Sequence, residues 1–278
     1  DTGNLIWVQK LQDRTAGTYQ TVKYHYDNPN FPHYITSIED PRGIPICRNL
    51  YDDAGRLIGM IDAAGNTNSF VHDLADRTEI QYDRSGQPTV YAYDTRGNVI
   101  STLDALGHTN GFAYDDNGYL TNSADALGHV TSYVNDANGN VLSVTLPYPS
   151  GADPAAYTTA FTWDEFGNQT SVTLPTGGVI TNVYDAFGNL TATMDENGNL
   201  ISTNSYNAAG LPAMDGDRFG TNRYVYDAMG NLTSFTNSLG KATTSGYDGN
   251  GNLTTLTDDG GTSTVGYDAM NRETLADY

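Results

Sequence analysis

The side chains that could do chemistry in this sequence are carboxylates, five histidines and one cysteine. The chain has 33 Asp and Glu residues against 13 Lys and Arg, which gives a formal net charge of −20. Paired carboxylates can act as general acid and base, and clustered carboxylate and amide oxygens can bind Ca²⁺. The strings DDNG, DANGN and DENGN resemble oxygen-rich ion loops for this reason.

The acidic strings do not predict a dedicated calcium site. An EF-hand needs the pattern D-x-[DN]-x-[DN]-G followed by a Glu at its twelfth position. The best match begins at Asp248 and continues through Asn250 and Asn252. It has Leu253 where the glycine belongs, and Asp259 stands in the place of the Glu. Whether the acidic turns bind calcium weakly is left open by the sequence.

Histidines and the cysteine do not form a recognisable site either. His108 and His129 both follow the string DALG, so they recur with a repeat and do not converge on one point. Cys47 is the single cysteine, which excludes an intrachain disulfide and a thiolate metal cluster. The strings GxxxxGK[ST], GxGxxG, GxSxG and HExxH are absent. We therefore predict no catalytic residue, no metal site and no cofactor, and the chain is not expected to be an enzyme.

A tandem repeat explains where the acidic residues stand. Most copies contain a Tyr-Asp dipeptide, and degenerate copies fill the gaps in phase, so that successive anchors are separated by about 21 residues. The anchor positions are Tyr26, Tyr51, His72, Tyr93, Tyr114, Asn135, Trp163, Tyr184, Tyr206, Tyr226, Tyr247 and Tyr267. Twelve anchors in phase indicate a repeat protein, with ten of these positions (all except His72 and Asn135) as the structural anchors.

Each repeat carries two turn signals. Glycine follows most anchors by four residues and closes a tetrad that opens with Asp, the pattern of a type I turn with positive φ at the glycine. The turn glycines of this first signal are Gly55, Gly97, Gly118, Gly139, Gly167, Gly188, Gly210, Gly230 and Gly251. About ten residues later the same device recurs, as in DAAG at 62–65 and DALG at 104–107. The pattern predicts one β-hairpin per repeat and an all-β fold.

Alternation within the strands predicts which residues share a face. On the first strand, the anchor should face the same way as the residue two before it, and we expect such aromatic pairs to stack in ladders from repeat to repeat. On the second strand, three alternating positions should share a face: Val99, Ser101 and Leu103; Leu57, Gly59 and Ile61; Leu190, Ala192 and Met194. The length is ample for a buried core.

Irregular steps divide the chain. We expect a degenerate leading repeat at 1–23, repeats at 24–145, a Pro/Gly-rich inserted loop at 146–158 and further repeats at 159–278. The string DTGNL at 1–5 matches the tail of a turn motif, and the last repeat stops inside a strand. The sequence is therefore expected to be an excerpt of a longer polypeptide.

The string YDxxGN(L/V)(T/I), followed by DxxG at this spacing, resembles the YD repeats of the RHS family. That family includes bacterial polymorphic toxins, shell components of insecticidal toxin complexes, and teneurins. The resemblance implies hairpins that wind as a continuous spiralling antiparallel sheet into part of a hollow shell or tube. The glycine- and asparagine-rich core segment that closes the bacterial shell is not found, so its self-cleavage is not carried over to any residue here.

Two functions remain open. The resemblance implies a shell wall around a C-terminal toxin or other cargo, and the alternative is a surface adhesion or matrix protein built from the same repeats. Partners would be further repeats of the same polypeptide or of other copies, and an enclosed cargo polypeptide. The acidic charge argues against nucleic acid, and no apolar run is long enough for membrane insertion. A secreted or cell-surface location is implied by the resemblance only. If cargo is enclosed, acidic residues should gather on one face.

Overall fold

Antiparallel strands make up almost all of the protein. The computed structural model describes residues 3–13, 18–268 and 271–277. They contain 25 strands and one short 3-10 helix, Pro154–Tyr157. The chain divides into two units, residues 1–132 and 133–278. In both units the recorded pairings join strands that are consecutive in sequence, and every one is antiparallel. The predicted all-β hairpin fold is confirmed.

The strands are short and closely spaced, as turn signals every ten residues require. The first twelve are β1 (Trp7–Asp13), β2 (Thr18–His25), β3 (Ser37–Glu39), β4 (Pro45–Tyr51), β5 (Leu57–Asp62), β6 (Thr67–Asp73), β7 (Thr78–Tyr82), β8 (Pro88–Tyr93), β9 (Val99–Leu103), β10 (Thr109–Tyr114), β11 (Leu120–Ala124) and β12 (Val130–Asn135). The others are β13 (Val141–Thr145), β14 (Thr158–Trp163), β15 (Gln169–Thr173), β16 (Val179–Tyr184), β17 (Leu190–Met194), β18 (Leu200–Tyr206), β19 (Pro212–Asp217), β20 (Gly220–Tyr226), β21 (Leu232–Thr236), β22 (Ala242–Tyr247), β23 (Leu253–Asp258), β24 (Gly261–Tyr267) and β25 (Glu273–Asp277).

Most of the hairpin turns have the hydrogen-bond pattern of a type I turn that ends in a glycine bulge. In the turn between β10 and β11, the Gly118 N–H donates to the Asp115 carbonyl at 3.1 Å, and the Asp115 N–H donates to the Tyr119 carbonyl at 2.9 Å. Gly118 has φ 86°, the left-handed region in which a Cβ is strained. This three-residue loop suits the right-handed twist of the strands that it joins. Tight turns of this kind allow successive strands to pair along the chain.

A second bulge lies beside most anchors, and it corrects our assignment of faces. Tyr93 pairs with Val99, but Ala92, the residue before Tyr93, pairs with Ser101, so one residue of β9 is extra. Directly opposed residues point to the same side of a sheet, and neighbours along a strand point to opposite sides. Val99 therefore lies on the anchor face, whereas Ser101 and Leu103 lie on the other.

The same shift of register recurs in other hairpins, so the prediction that three alternating residues share a face is wrong there too. Leu57 pairs with Tyr51, whereas Gly59 and Ile61 pair with residues of the opposite face. Leu190 is likewise separated from Ala192 and Met194. Alternation assumes an unbroken ladder, and a single inserted residue reverses it. The register shift is present beside nine anchors: Tyr51, Tyr93, Tyr114, Trp163, Tyr184, Tyr206, Tyr226, Tyr247 and Tyr267.

The chain is long enough for a buried core, but the described residues do not form one. No hydrophobic side chain among the described residues is fully buried, and Asp40 is the most enclosed polar one. Each strand pairs in the plane of a sheet with the strands before and after it, so side chains are covered chiefly by their neighbours on the same face. A long chain need not enclose a core when its contacts are those of a repeat stack, in which each repeat contacts only its neighbours.

Many acidic residues lie in the hairpin turns, and the expectation that they gather on one face if cargo is enclosed stays a prediction. In the turns of the D-x-x-G type, the Asp carboxylate is held by backbone N–H groups of the turn, as at Asp94 and Asp185. These carboxylates lie at the strand ends, along the edges where hairpins reverse. The backbone chemistry of the turn therefore sets where the charge stands.

Two further expectations meet the structure at the chain's irregular parts. Residues 146–157 form the connection between β13 and β14, and the Asp153 side chain accepts from the Ala155 N–H at the start of its 3-10 helix. In the string DTGNL, Asp1 and Thr2 lie outside the described residues. Within the described part of the chain, no helix has the length and apolarity needed to cross a membrane.

Candidate functional site

The repeated site of this protein is the turn and the anchor that precedes it. At the turn, one carboxylate oxygen accepts two backbone N–H groups: Asp185 Oδ1 accepts from Phe187 and Asn189, both at 2.9 Å. The other oxygen, Oδ2, accepts from the Asn189 side-chain amide at 3.0 Å. These three hydrogen bonds, which we call the aspartate bracket, stabilise the carboxylate in its charged form. For this reason the Asn189 amide, with the backbone N–H groups, lowers the pKa of Asp185.

Twelve turn aspartates share this direction of shift. Hydrogen bonds from the following residues lower their pKa values, and the Asn98 side chain contributes most at Asp94, whose pKa is lowered to about 2. Arginine or histidine takes the place of asparagine in some turns. The twelve are Asp40, Asp52, Asp62, Asp94, Asp104, Asp125, Asp136, Asp164, Asp185, Asp195, Asp227 and Asp248.

The turn glycines named from the sequence all adopt the left-handed conformation. Their φ angles run from 77° at Gly210 to 89° at Gly139. Around Gly97 a Cβ would have no heavy atom within 4 Å, so the requirement for glycine there is conformational and not steric. The other members of the set are Gly55, Gly118, Gly167, Gly188, Gly230 and Gly251.

The anchor side chains make a bond that sequence reasoning missed. The Tyr114 hydroxyl donates to the Val99 carbonyl at 3.0 Å, across the strand pair that joins one repeat to the next. The indole N–H of Trp163 does the same to Val141 at 2.8 Å, and His72 Nε2 lies 2.8 Å from the Leu57 oxygen. The same bond is made by Tyr26, Tyr51, Tyr184, Tyr206 and Tyr247, to Leu5, Ile35, Gln169, Leu190 and Leu232 respectively.

The acceptor in most of these bonds is the residue that opens the strand after the preceding turn. The anchor therefore ties its own hairpin to the turn of the repeat before it. Anchor and acceptor are about 15 residues apart in several repeats. The sequence contains this regular spacing, but only strand pairing shows that a hydrogen bond joins the two residues. Tyr93, Tyr226 and Tyr267 end strands β8, β20 and β24, and Asn135 ends β12.

The expected aromatic ladders from repeat to repeat are not formed. In the described residues the ring contacts are local, such as Tyr224 with Phe235 across one hairpin at 5.3 Å. Successive anchors are two strands apart, which is roughly 9.5 Å and too far for ring stacking. The strand between them presents an aliphatic residue instead: Tyr114 pairs with Leu120, and Tyr247 pairs with Leu253. Aromatic anchors thus alternate with aliphatic residues at most positions, whereas Trp163 pairs with Gln169 and Tyr267 with Glu273.

The same geometry explains why the string Gly-Asn-x-Thr recurs in the repeat. Thr191 and Thr233 are the extra residues at the anchor bulge, and their hydroxyls donate to the Val183 and Val225 carbonyls at 3.0 and 3.1 Å. The preceding asparagines donate their side-chain amides to turn carboxylates. The asparagine of this string therefore stabilises the turn, and its threonine stabilises the bulge.

His108 and His129 remain in the turns where the repeat places them. His108 Nδ1 lies 2.9 Å from Asp104 Oδ2, and His129 Nδ1 lies 2.8 Å from Asp125 Oδ2. In the part of the chain that the structure describes, no three His, Cys, Asp or Glu side chains stand close enough to hold a metal ion. The arrangement favours a stabilising role for these groups over ligation.

Solved structures with the same fold are found among Tc toxin proteins. The chain is similar to TcdB2-TccC3 without its hypervariable C-terminal region, with 18% identity and a TM-score of 0.64, over 94% of this chain and 18% of that one. It is also similar to the Photorhabdus luminescens Tc holotoxin pore, with 16% identity and a TM-score of 0.55, over 96% of this chain and 19% of that one. No curated protein sequence matches.

These observations define a class of protein, a tandem β-hairpin repeat stabilised by turn brackets and anchor bonds. The family model described as RHS Repeat matches residues 136–179, 226–263 and 247–278. Over these residues the chain is similar to the RHS/YD-repeat family. It spans about a fifth of the length of the solved chains that it matches.

Proposed function

We propose that this chain is a wall segment of an RHS-type shell that encloses a C-terminal toxin or other cargo. The observation that carries the proposal is a sheet of tandem hairpins, in the fold of TcdB2-TccC3, whose described residues include no buried hydrophobic side chain. Such a sheet is suited to separate two spaces, because its stability comes from stacking of repeats and not from an interior that fills it. The role is architectural, and we propose that the chain has no enzymatic activity of its own.

Within this function, the anchors and turn glycines are the structural determinants. We propose that the wall consists of a degenerate leading repeat at 1–23 and repeats at 24–145 and 159–278. Residues 146–158 are an insertion between these two runs of repeats. Partners are further repeats, of the same polypeptide or of other copies, and the enclosed polypeptide. We propose a secreted or cell-surface location, supported by the nature of the Tc toxin relatives.

A surface adhesion or matrix protein is the second candidate, and one observation favours it. Tyr148 is exposed in the 146–157 connection and packs against Tyr157 with ring centroids 5.7 Å apart. Loops that carry exposed aromatic residues are frequent contact sites. Trp163 does not add to this surface, since its indole is half-buried and bonded to Val141.

The deciding experiment is intact-mass analysis and peptide mapping of the full-length source protein after purification from its native host. A cleaved C-terminal fragment that co-purifies with the repeats is expected for the shell. Repeats that continue to a surface anchor without a retained fragment would overturn the shell and support adhesion.

A further inference from the structure

In the second unit, the turns that follow the anchors present large apolar residues to solvent. Phe166 and Phe187 occupy the same turn position in consecutive hairpins and are 80% and 90% exposed. The turn itself does not require an aromatic residue there, because Asn117 and Ala209 occupy that position in other repeats. A cavity of about 570 Å³ lies between the two turns and is lined by both phenylalanines and by Val183. The edge is therefore a surface with an unexplained aromatic pair.

Guanidinium groups contact a phenylalanine ring and turn carboxylates elsewhere in the protein, in each case within a single turn. At the tip of the β19–β20 turn, the Arg218 guanidinium lies over the exposed Phe219 ring, 4.6 Å from its centroid. At the turn that follows Tyr51, Arg56 Nε donates to Asp52 Oδ2 at 2.6 Å. Arg42 and Arg272 bind the turn carboxylates of Asp40 and Asp268 in the same way. A turn-tip phenylalanine and a turn aspartate each hold a guanidinium in this fold.

The Phe166 and Phe187 turns combine both groups. Asp164 and Asp185 open these turns, and each carboxylate accepts three hydrogen bonds from its own turn, of roughly four that it can accept. Their lowered pKa values keep both carboxylates charged at neutral pH. Each turn therefore offers an aromatic face and an anionic oxygen to a planar cation.

No basic residue of the surrounding sequence supplies that cation. Residues 97–217 contain no Lys or Arg, although they contain 13 Asp and Glu residues. In the described part of the chain, the recorded contact between a cation and a ring is the one at Phe219. A second copy of the chain is disfavoured as the partner, because it would bring the same negative charge to the edge.

We infer that the edge formed by the 164–167 and 185–188 turns binds arginine side chains of a basic polypeptide. The two turns lie two strands apart, roughly 9.5 Å, so an extended segment with arginines at spaced positions can contact both. Guanidinium groups would stack on Phe166 and Phe187 and donate to the adjacent carboxylates. This inference does not depend on a shell or on enclosed cargo.

The test is fluorescence anisotropy of the whole chain with a labelled synthetic peptide of alternating arginine and serine. Replacing both aromatics, Phe166→Ser and Phe187→Ser, leaves the net charge unchanged and uses a residue already found at this turn position, Ser85. We expect about tenfold weaker binding, the loss of two exposed cation–π contacts. The pair Leu106→Ser and Leu127→Ser, at exposed tips of other turns, is the matched control and should bind as the wild type does.

Two further measurements test the contributions of the carboxylates and of the guanidinium group. The pair Asp164→Asn and Asp185→Asn keeps the turn acceptor, as at the natural Asn207 turn, and should also weaken binding. The lysine analogue of the peptide should bind more weakly than the arginine peptide, because lysine lacks the planar fork. Circular dichroism melts confirm that each variant is folded.

Equal affinity of the phenylalanine pair and the wild type would overturn the inference, as would an equal loss in the leucine control. Self-association of the wild type that disappears in the phenylalanine pair would overturn it as well, because the occupant would then be a second copy.

Discussion

Two hairpins of the first unit solve the same problem differently. The β10–β11 hairpin has the regular turn, with Gly118 at φ 86° and a bulge next to Tyr114. The β6–β7 hairpin joins its strands through residues 74–77, has no bulge in its register, and places Arg77 at φ 52°. Both nevertheless begin with an aspartate that accepts backbone N–H groups and an anchor that reaches a carbonyl of the preceding strand.

The two hairpins show which features the repeat needs and which occur only with the regular turn. His72 replaces tyrosine as the anchor and still lies 2.8 Å from the Leu57 carbonyl oxygen. A four-residue connection lets arginine take the left-handed position at a cost, where the shorter turn depends on glycine. The anchor bond and the aspartate bracket are therefore the common requirements, and the glycine and the bulge belong to one turn length.

Acid should have the largest effect, because it acts on many regular turns together. Their aspartates have lowered pKa values in the folded protein, so the unfolded chain binds protons first as the pH falls. This contribution to stability is complete above about pH 4 and is lost as the pH falls through the folded values, about 2 at Asp94.

The measurement for this prediction is the denaturation midpoint at a series of pH values between neutral and about pH 2. Asp94→Asn should reduce the dependence on pH, since asparagine can still accept in the turn. An unchanged midpoint over this interval would show that the brackets do not stabilise the fold.

Replacing the turn glycine should have the largest effect of a single change. Gly118→Val forces a β-branched residue to positive φ and should lower the free energy of unfolding by about 1–3 kcal/mol. A Cβ at this position meets no atom closer than 3.9 Å, so the loss would be conformational. Arg77→Gly is the matched variant and should change stability by less than about 1 kcal/mol. Similar losses in both variants, measured by urea unfolding, would contradict our account of turn length.

Removing the anchor hydroxyl should cost less. Tyr114→Phe deletes the bond to Val99 and leaves the ring, so we expect a loss of about 0.5–1.5 kcal/mol. Because Tyr114 is only partly buried, the larger loss expected for a truncated core side chain does not apply to it. His72→Phe should cause a comparable loss at the irregular hairpin. Wild-type stability in both variants would show that the anchor bond is dispensable.

The bulge hydroxyl should matter least. Thr121→Val removes a donor to the Ala113 carbonyl at 3.1 Å, at an exposed position, and should cost about 0.5 kcal/mol. Thr121→Ser retains the hydroxyl and serves as the control. Amide hydrogen exchange in β10 and β11 reports the local change. Faster exchange in the serine variant than in the valine variant would assign the effect to the Thr methyl group.

Local features of the fold were predictable from the sequence, and pairing across strands was not. The turn that begins at Asp115 and ends at Gly118 depends on residues within four positions of one another. The sequence therefore predicts it directly. The faces of Ser101 and Leu103 depend on a bulge that forms only when β9 pairs with β8. The hydrogen bond from Tyr114 to Val99 likewise joins residues 15 apart. Their strands pair in a register that cannot be read from the sequence.

The sequence by itself determined the repeat, the positions of the turns and the antiparallel all-β class, because glycine, aspartate and asparagine act on the backbone beside them. Only the tertiary structure decided which side chains share a face, that aliphatic residues separate most of the anchors, and that the described residues form no buried core. These depend on register and on the number of layers, and both are set by contacts between strands.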